Sequence, residues 1–292
     1  MPTTPFKQVD VFTKVPFKGN PVAVVLQAAG LSTAQMQQIA SWTNLSETTF
    51  VLPATNAQAQ YRVRIFTPLA ELPFAGHPTI GTAHALLEAG VIAARDGALV
   101  QECGAGLVRL RVEPGAAGER WISFELPQAQ MKQLGQAEID ELEAILGCAV
   151  SIAAAPRLID VGARWVVAQL ADARAVLSCR PDLLRMRVRN TQDRATGVVI
   201  FGEYEAGSPA KIEVRAFAPA CGIDEDPVCG SGNGCVAAFI RATGQDAHFG
   251  DEFLAAQGVV LGRAGQVRIA IDGERIQVGG MAVTCIDGQL AV

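Results

Sequence analysis

Residues Arg64–Gly90 read RIFTPLAELPFAGHPTIGTAHALLEAG, and residues Arg215–Gly244 read RAFAPACGIDEDPVCGSGNGCVAAFIRATG. Each opens on Arg-x-Phe-x-Pro, continues through Glu-x-Pro-x-x-Gly, and runs into small apolar residues closed by Gly90 or Gly244. This is one element used twice, and a repeat at about half the chain length predicts two halves of like fold. The copies lie 151 residues apart at Arg64/Arg215 and 154 apart at Gly76/Gly230, so the second copy carries three extra residues, placed within Ala220–Asp224.

Working outward, Val9–Phe12 and Pro21–Leu26 read as strands joined by a Lys18-Gly19-Asn20 turn. A helix follows, with Ser32 and Gln35 as its capping box and Leu31 with Met36 as its hydrophobic staple, ending near Trp42–Thr43. Thr48–Leu52 and Tyr61–Phe66 are strands. Pro78 is placed at the first helical position, where no amide donor is needed, and the helix runs Thr79–Ala89 with Gly90 closing it. Glu88 is its only charge, so it reads as buried. Further strands are Ala98–Val100, Leu107–Val112 and Trp121–Glu125. The second half repeats the order: a hairpin around Gly162, a helix at Pro181–Met186, strands at Gly197–Tyr204 and Lys211–Phe217, and a charge-poor helix at Cys235–Ala242. Short strands at Phe253–Leu254, Gln266–Ile271, Arg275–Gly279 and Ala282–Val283 close the chain. The fold class is therefore α+β: two pseudo-symmetric halves, each a curled, barrel-like mixed sheet around a central helix. The boundary falls in the Gln/Ala-rich stretch Gln128–Gln136. The halves are residues 1–128, completed by a C-terminal strand from about 280–292, and residues 129–279.

Half of the 292 residues are apolar, 18% are charged, and the net charge is −5. The Arg180–Arg194 stretch is interrupted by Leu, Met and Asp, so nucleic-acid binding has no footprint. The N-terminus lacks the apolar run of a signal peptide, and no stretch approaches the ~18 apolar residues of a membrane helix. Seven scattered cysteines without a Cys-x-x-Cys pair suit reduced thiols in a cytoplasm. The three histidines, His77, His84 and His248, have no metal-ligand spacing, and no metal is expected.

Gly76 and Gly230 begin helices, whose exposed N–H groups and positive end suit an anion. Two such ends in one cleft could clamp a carboxylate and stabilise enolate-like charge. For either glycine alone, a sharp strand-to-helix turn is reason enough; for the pair, flanked by His77, Asp226, Cys229 and Ser231, a site is the better reading. Gly230-Ser231-Gly232-Asn233-Gly234 lacks the Lys-Ser/Thr end of a phosphate loop and the spacing of a dinucleotide fingerprint. His77 could equally cap its helix, Asp226 could cap its own turn, and His84 reads as a core histidine. Cys229 precedes a helix start, which lowers a thiol pKa, or it fills space as a small hydrophobe. Arg64 and Arg215 report the fold.

VDVFTKVPFKGNPVAVV from Val9, Leu45-Ser46-Glu47-Thr48, ELPFAGHPTIGTAHAL from Glu71 and GIDEDPVCGSGNG from Gly222 together resemble the PhzF-like proteins of phenazine biosynthesis, which share the diaminopimelate epimerase fold. The resemblance implies a cofactor-independent isomerase of a small carboxylated metabolite, with the site between the halves and a homodimeric state. It implies Glu47 as general acid/base, His77, Asp226 and Ser231 around the substrate, and backbone donors at Gly76 and Gly230. Glu47 precedes an apolar strand, so burial and a raised pKa are plausible for it. Related racemases set a cysteine at each helix start; here Cys229 faces Ala75 across the repeat, which argues against a symmetric thiol pair. The family's phenazine enzyme commonly has threonine where Cys229 stands. An epimerase or racemase of an amino or hydroxy acid, with Glu47 and Cys229 as unlike bases, and a non-catalytic small-molecule binder are the alternatives.

Overall fold

The computed structural model describes residues 2–292. The chain divides into two compact units, one of residues 1–125 with 279–292 and one of residues 126–278. In the first unit β1 (Thr3–Val11), β2 (Asn20–Val25), α1 (Thr33–Thr43), β3 (Thr48–Leu52), β4 (Tyr61–Phe66), β5 (Glu71–Leu72), α2 (Gly76–Glu88), β6 (Ala98–Cys103), β7 (Gly106–Pro114) and β8 (Arg120–Glu125) follow in order. Helix α1 starts on the expected capping box, Ser32 accepting from the Gln35 amide while Gln35 Oε1 accepts from the Ser32 amide. Asn44 ends it in the left-handed conformation.

The second unit runs β9 (Gln130–Gln133), α3 (Gln136–Leu146), β10 (Arg157–Asp160), β11 (Arg164–Gln169), α4 (Ala173–Ser178), α5 (Leu183–Asp193), β12 (Gly197–Glu203), β13 (Ile212–Ala218), β14 (Ile223–Asp226), α6 (Gly230–Ala242), α7 (Asp246–Phe249), β15 (Glu252–Gln257), β16 (Gly265–Asp272) and β17 (Arg275–Gly280). The chain then returns to the first unit as β18 (Ala282–Ala291), antiparallel to β1 from Thr3↔Ala291 to Val11↔Ala282.

The strand ladders prove the duplication. In the first unit β1–β2 is antiparallel, β2–β3 parallel, β3–β4 and β4–β5 antiparallel, β4–β6 parallel and β6–β7 antiparallel. In the second, β10–β11, β11–β12, β12–β13, β13–β14, β13–β15 and β15–β16 repeat those senses in the same order. The class is α+β, built from curled, unclosed mixed sheets. Helix α2 packs against β1, β2, β3, β8 and β18, and α6 against β10, β11, β12 and β16. Each helix is thus the core of its unit. Gly76 to Leu86 are buried without a break, as are Gly232 to Ile240. Gly81 lets α2 lie directly on the sheet, because a Cβ there would overlap Val22 Cγ1 and press on Val11 Cγ2.

The repeat also explains its arginines. Arg64 forms a two-pronged ion pair with Glu71 and stacks over Phe66 at 5.1 Å; Arg215 does the same with Glu225 and lies 4.9 Å over Phe217. Each pair ties the strand before the turn to the short strand after it. The spacing is seven residues in one copy and ten in the other, so the three extra residues lie inside this loop, where Pro219–Cys221 forms a 3₁₀ turn.

The differences from expectation have local causes. Gln130–Gln133, within the stretch whose sequence reads as a patternless boundary, is a strand held antiparallel to β10. Its ladder supplies what its side chains do not announce. Helices α3 and α4 go beyond the expected elements, and the helix expected at Pro181–Met186 is α5, capped by Asp182 and two turns longer. Pro78 sits third in α2 rather than first; that position also lacks an intrahelical partner for its amide, so proline costs nothing there. The final strand runs to Ala291 because β1 offers it nine residues of ladder.

Candidate active site

Glu47 lies in the connector between α1 and β3, one residue before a strand that is buried along its length. That position draws it inward. Its side chain is 14% exposed, and its Oε2 stands 3.2 Å from His77 Nε2. Burial pushes the carboxyl up to about 7, partly offset by a hydrogen bond from Ser46. Near neutral pH such a group is present in both forms and can take or give a proton.

His77 is the second residue of α2; Ala75 holds the cap position and makes no side-chain cap bond. The imidazole lies within ion-pair distance of Glu47. Gly76 starts the helix beneath the Phe124 ring, and a Cβ there would come within 2.8 Å of Phe124 Cζ. Phe74 packs edge-on against the same ring. These aromatic walls keep one side of the first turn apolar.

The matching turn of the second unit is built differently. Cys229 caps α6, its Sγ accepting from the Gly232 amide at 3.3 Å. The thiol is 4% exposed, and burial with the nearby Asp226 charge pushes its pKa well above the ordinary value. The expected lowering by the helix end is thus overturned: the cap bond is real, but desolvation is larger. Asp226 takes the capping role, its Oδ1 accepting from the Val228 amide at 3.1 Å. Ser231 Oγ accepts from Trp165 Nε1 at 3.0 Å and lies 3.6 Å from Cys229 Sγ. Gly230 is the buried first residue of the helix.

Gln257 is the site residue that the sequence does not reveal. It is buried at the end of β15, and its Oε1 accepts from the Cys229 amide and from Asn233 Nδ2 while its Nε2 donates to the Asp226 carbonyl. One amide therefore fixes the whole Asp226–Gly230 turn. Nothing local marks it; only its place opposite the Gly-rich turn in the fold does. Of the other histidines, His84 is buried, 3.3 Å from Thr284 Oγ1, and desolvation lowers its pKa. His248 pairs with Glu203 at the surface. Among the described residues no cluster of His, Cys, Asp and Glu is arranged to hold a metal.

The family model of the phenazine biosynthesis-like proteins matches residues 9–288. The chain belongs to this family. Two curated relatives span nearly its whole length. Antisense-enhancing sequence 1 of Schizosaccharomyces pombe is 42% identical over 97% of both chains. The trans-2,3-dihydro-3-hydroxyanthranilate isomerase of Pseudomonas chlororaphis is 33% identical over 94% of this chain and 95% of its own. The crystal structure of a PhzF-family protein from Bacillus anthracis superposes with a TM-score of 0.87 at 25% identity, covering both chains fully. This PhzF-like chain is accordingly an isomerase-type enzyme, and no helix among its described residues is long and apolar enough to cross a membrane.

Proposed function

We propose that the chain is a cofactor-independent isomerase that moves a proton along a small carboxylated metabolite, with Glu47 as the general acid/base. The observation that carries this reading is the Glu47–His77 contact: a buried carboxyl with a pKa of about 7, 3.2 Å from an imidazole at the head of α2. In the forward step the C–H bond next to the substrate's unsaturated system breaks, its proton passes to a Glu47 oxygen, and the electron pair spreads into the conjugated system. Return of that proton to a different carbon completes the isomerisation and restores the carboxylate. His77 positions the carboxyl. The N-terminus of α2 at Gly76 offers partial positive charge for the developing anion. We assign Gly230, Ser231, Cys229 and Asp226 to substrate binding, the first two as hydrogen-bond donors, Cys229 as a protonated wall and Asp226 as the residue that shapes the turn.

The substrate class is proposed from the relative named trans-2,3-dihydro-3-hydroxyanthranilate isomerase. That dihydro acid is the first compound to offer. With it as substrate, Glu47→Gln should lower kcat/KM by about 10²–10⁴-fold, the usual worth of a positioned acid/base. Turnover of the Gln variant at the parent rate would sink the assignment. An epimerase reading is less well supported, because the only residue matched to a second base, Cys229, is a high-pKa thiol. Heavy water separates the two: an epimerase leaves deuterium on the α-carbon of recovered starting material, whereas the proposed isomerase, which returns the proton it removed, leaves that material unlabelled. We further propose that the enzyme works as a homodimer in the cytoplasm, a setting that suits its seven free cysteines.

A further inference from the structure

The second unit contains a cavity of about 180 Å³ between helices α3 and α5 and strands β9 to β12. Its apolar lining includes Leu142, Leu158, Val166 and Val198. On β11 the side chains alternate between the two faces of the sheet. Trp165, which donates to Ser231, therefore points away from its neighbours Arg164 and Val166, both of which line the cavity. None of the residues assigned above to catalysis or substrate binding belongs to it.

Two features make this a built site rather than a packing gap. The first is Asn190, on the inner face of α5. It is 2% exposed, borders the cavity, and its Nδ2 has no hydrogen-bond partner. A buried amide left unmet is destabilising, so the group favours any guest that offers it an acceptor. The χ2 torsion of asparagine is broad, and a turn about it would present the group to a guest. The second is the charge balance of the rim. Lys132 pairs with Glu138, Arg189 with Asp193, Arg164 with Asp160, and Glu141 with Arg185. Every lining charge is answered from within the unit. The cavity thus offers no spare charge for an ion, and a carboxylate carried to Asn190 would be desolvated without a counter-ion.

We propose that this cavity binds a small neutral molecule: a single ring or branched chain of six to eight heavy atoms that carries one carbonyl oxygen, accepted into a hydrogen bond from Asn190 Nδ2. Its size fits, since apolar cavities of roughly 150 Å³ hold a benzene-sized guest. The site is separate from the reacting groups, so its occupation is read apart from turnover.

The test is a titration of ¹⁵N-labelled protein with cyclohexanone, benzene and benzoate, following the side-chain amide signal of Asn190. Cyclohexanone should shift that signal saturably, with benzene bound about tenfold more weakly, the worth of one net hydrogen bond, and benzoate not bound. Asn190→Leu should remove the preference for the ketone over benzene. Leu158→Phe, at a half-buried lining position, should exclude both guests whether or not the Asn190 variant folds. No saturable shift with cyclohexanone, a ketone preference that survives Asn190→Leu, or an Asn190 amide met only by a water that no guest displaces would each overturn the proposal.

Discussion

Glu47 links catalysis to stability with a definite sign. Its pKa rises from 4.5 to about 7 on folding, so between those values the folded chain binds more protons than the unfolded one, and stability falls as pH rises. Ionising the group costs roughly 3 kcal/mol by about pH 8. Glu47→Gln should therefore unfold at higher denaturant concentration than the parent at pH 8 and show little gain near pH 4, while losing turnover. Equal unfolding midpoints at both pH values would contradict a buried carboxyl. If ionised Glu47 is the base, kcat/KM of the parent should climb through a pH near 7. Cys229 makes the opposite case: its raised pKa predicts slow alkylation by iodoacetamide at pH 7, far behind exposed Cys221, measured by mass spectrometry of the digest. The sequence places Cys229 at a helix start correctly but cannot weigh the dipole against burial, since burial depends on β15 and Gln257, which lie some thirty residues away. The approach of Glu47 to His77 is legible only through family resemblance, because thirty residues separate them too.

At the scale of elements, the doubled Arg–Glu clasp offers an internal comparison. The Arg215–Glu225 side chains are 4% and 11% exposed, those of Arg64–Glu71 24% and 40%. Arg215 also donates to the carbonyls of Val176 and Cys179, anchoring α4. Truncating it leaves the buried Glu225 carboxylate without its counter-charge and takes one donor from each carbonyl, so Arg215→Ala should cost about 3–5 kcal/mol in urea unfolding. Arg64→Ala, at the wetter copy, should cost about 1 kcal/mol or less. Equal losses would mean that burial does not govern the pair. The repeat alone marks both arginines as fold residues, and the strands beside them, Thr48–Leu52 and Tyr61–Phe66, fall on the residues expected. Elements made by their neighbours leave no such mark. Strand β9 is polar along most of its length and exists because β10 pairs with it. Helix α4 is six residues long, too short for a periodic signal, and is fixed by the Asp172 cap.

At the scale of the whole molecule, the proposed homodimer predicts a sedimentation coefficient set by twice the chain mass at micromolar concentration; a single species of 30.7 kDa would refute it. The ladder between β1 and β18 has a consequence for synthesis. Val9 and Asp10 leave the ribosome long before their ladder partners Thr284 and Val283, with the whole second unit made in between. Residues 126–278 are all available before β18 appears. The second unit can therefore close while the first still waits with β1 unzipped along one edge, reversing the usual order in which the N-terminal part of a chain finishes first. A strand edge left open that long is the stretch of this protein that a nascent-chain chaperone has most reason to shield.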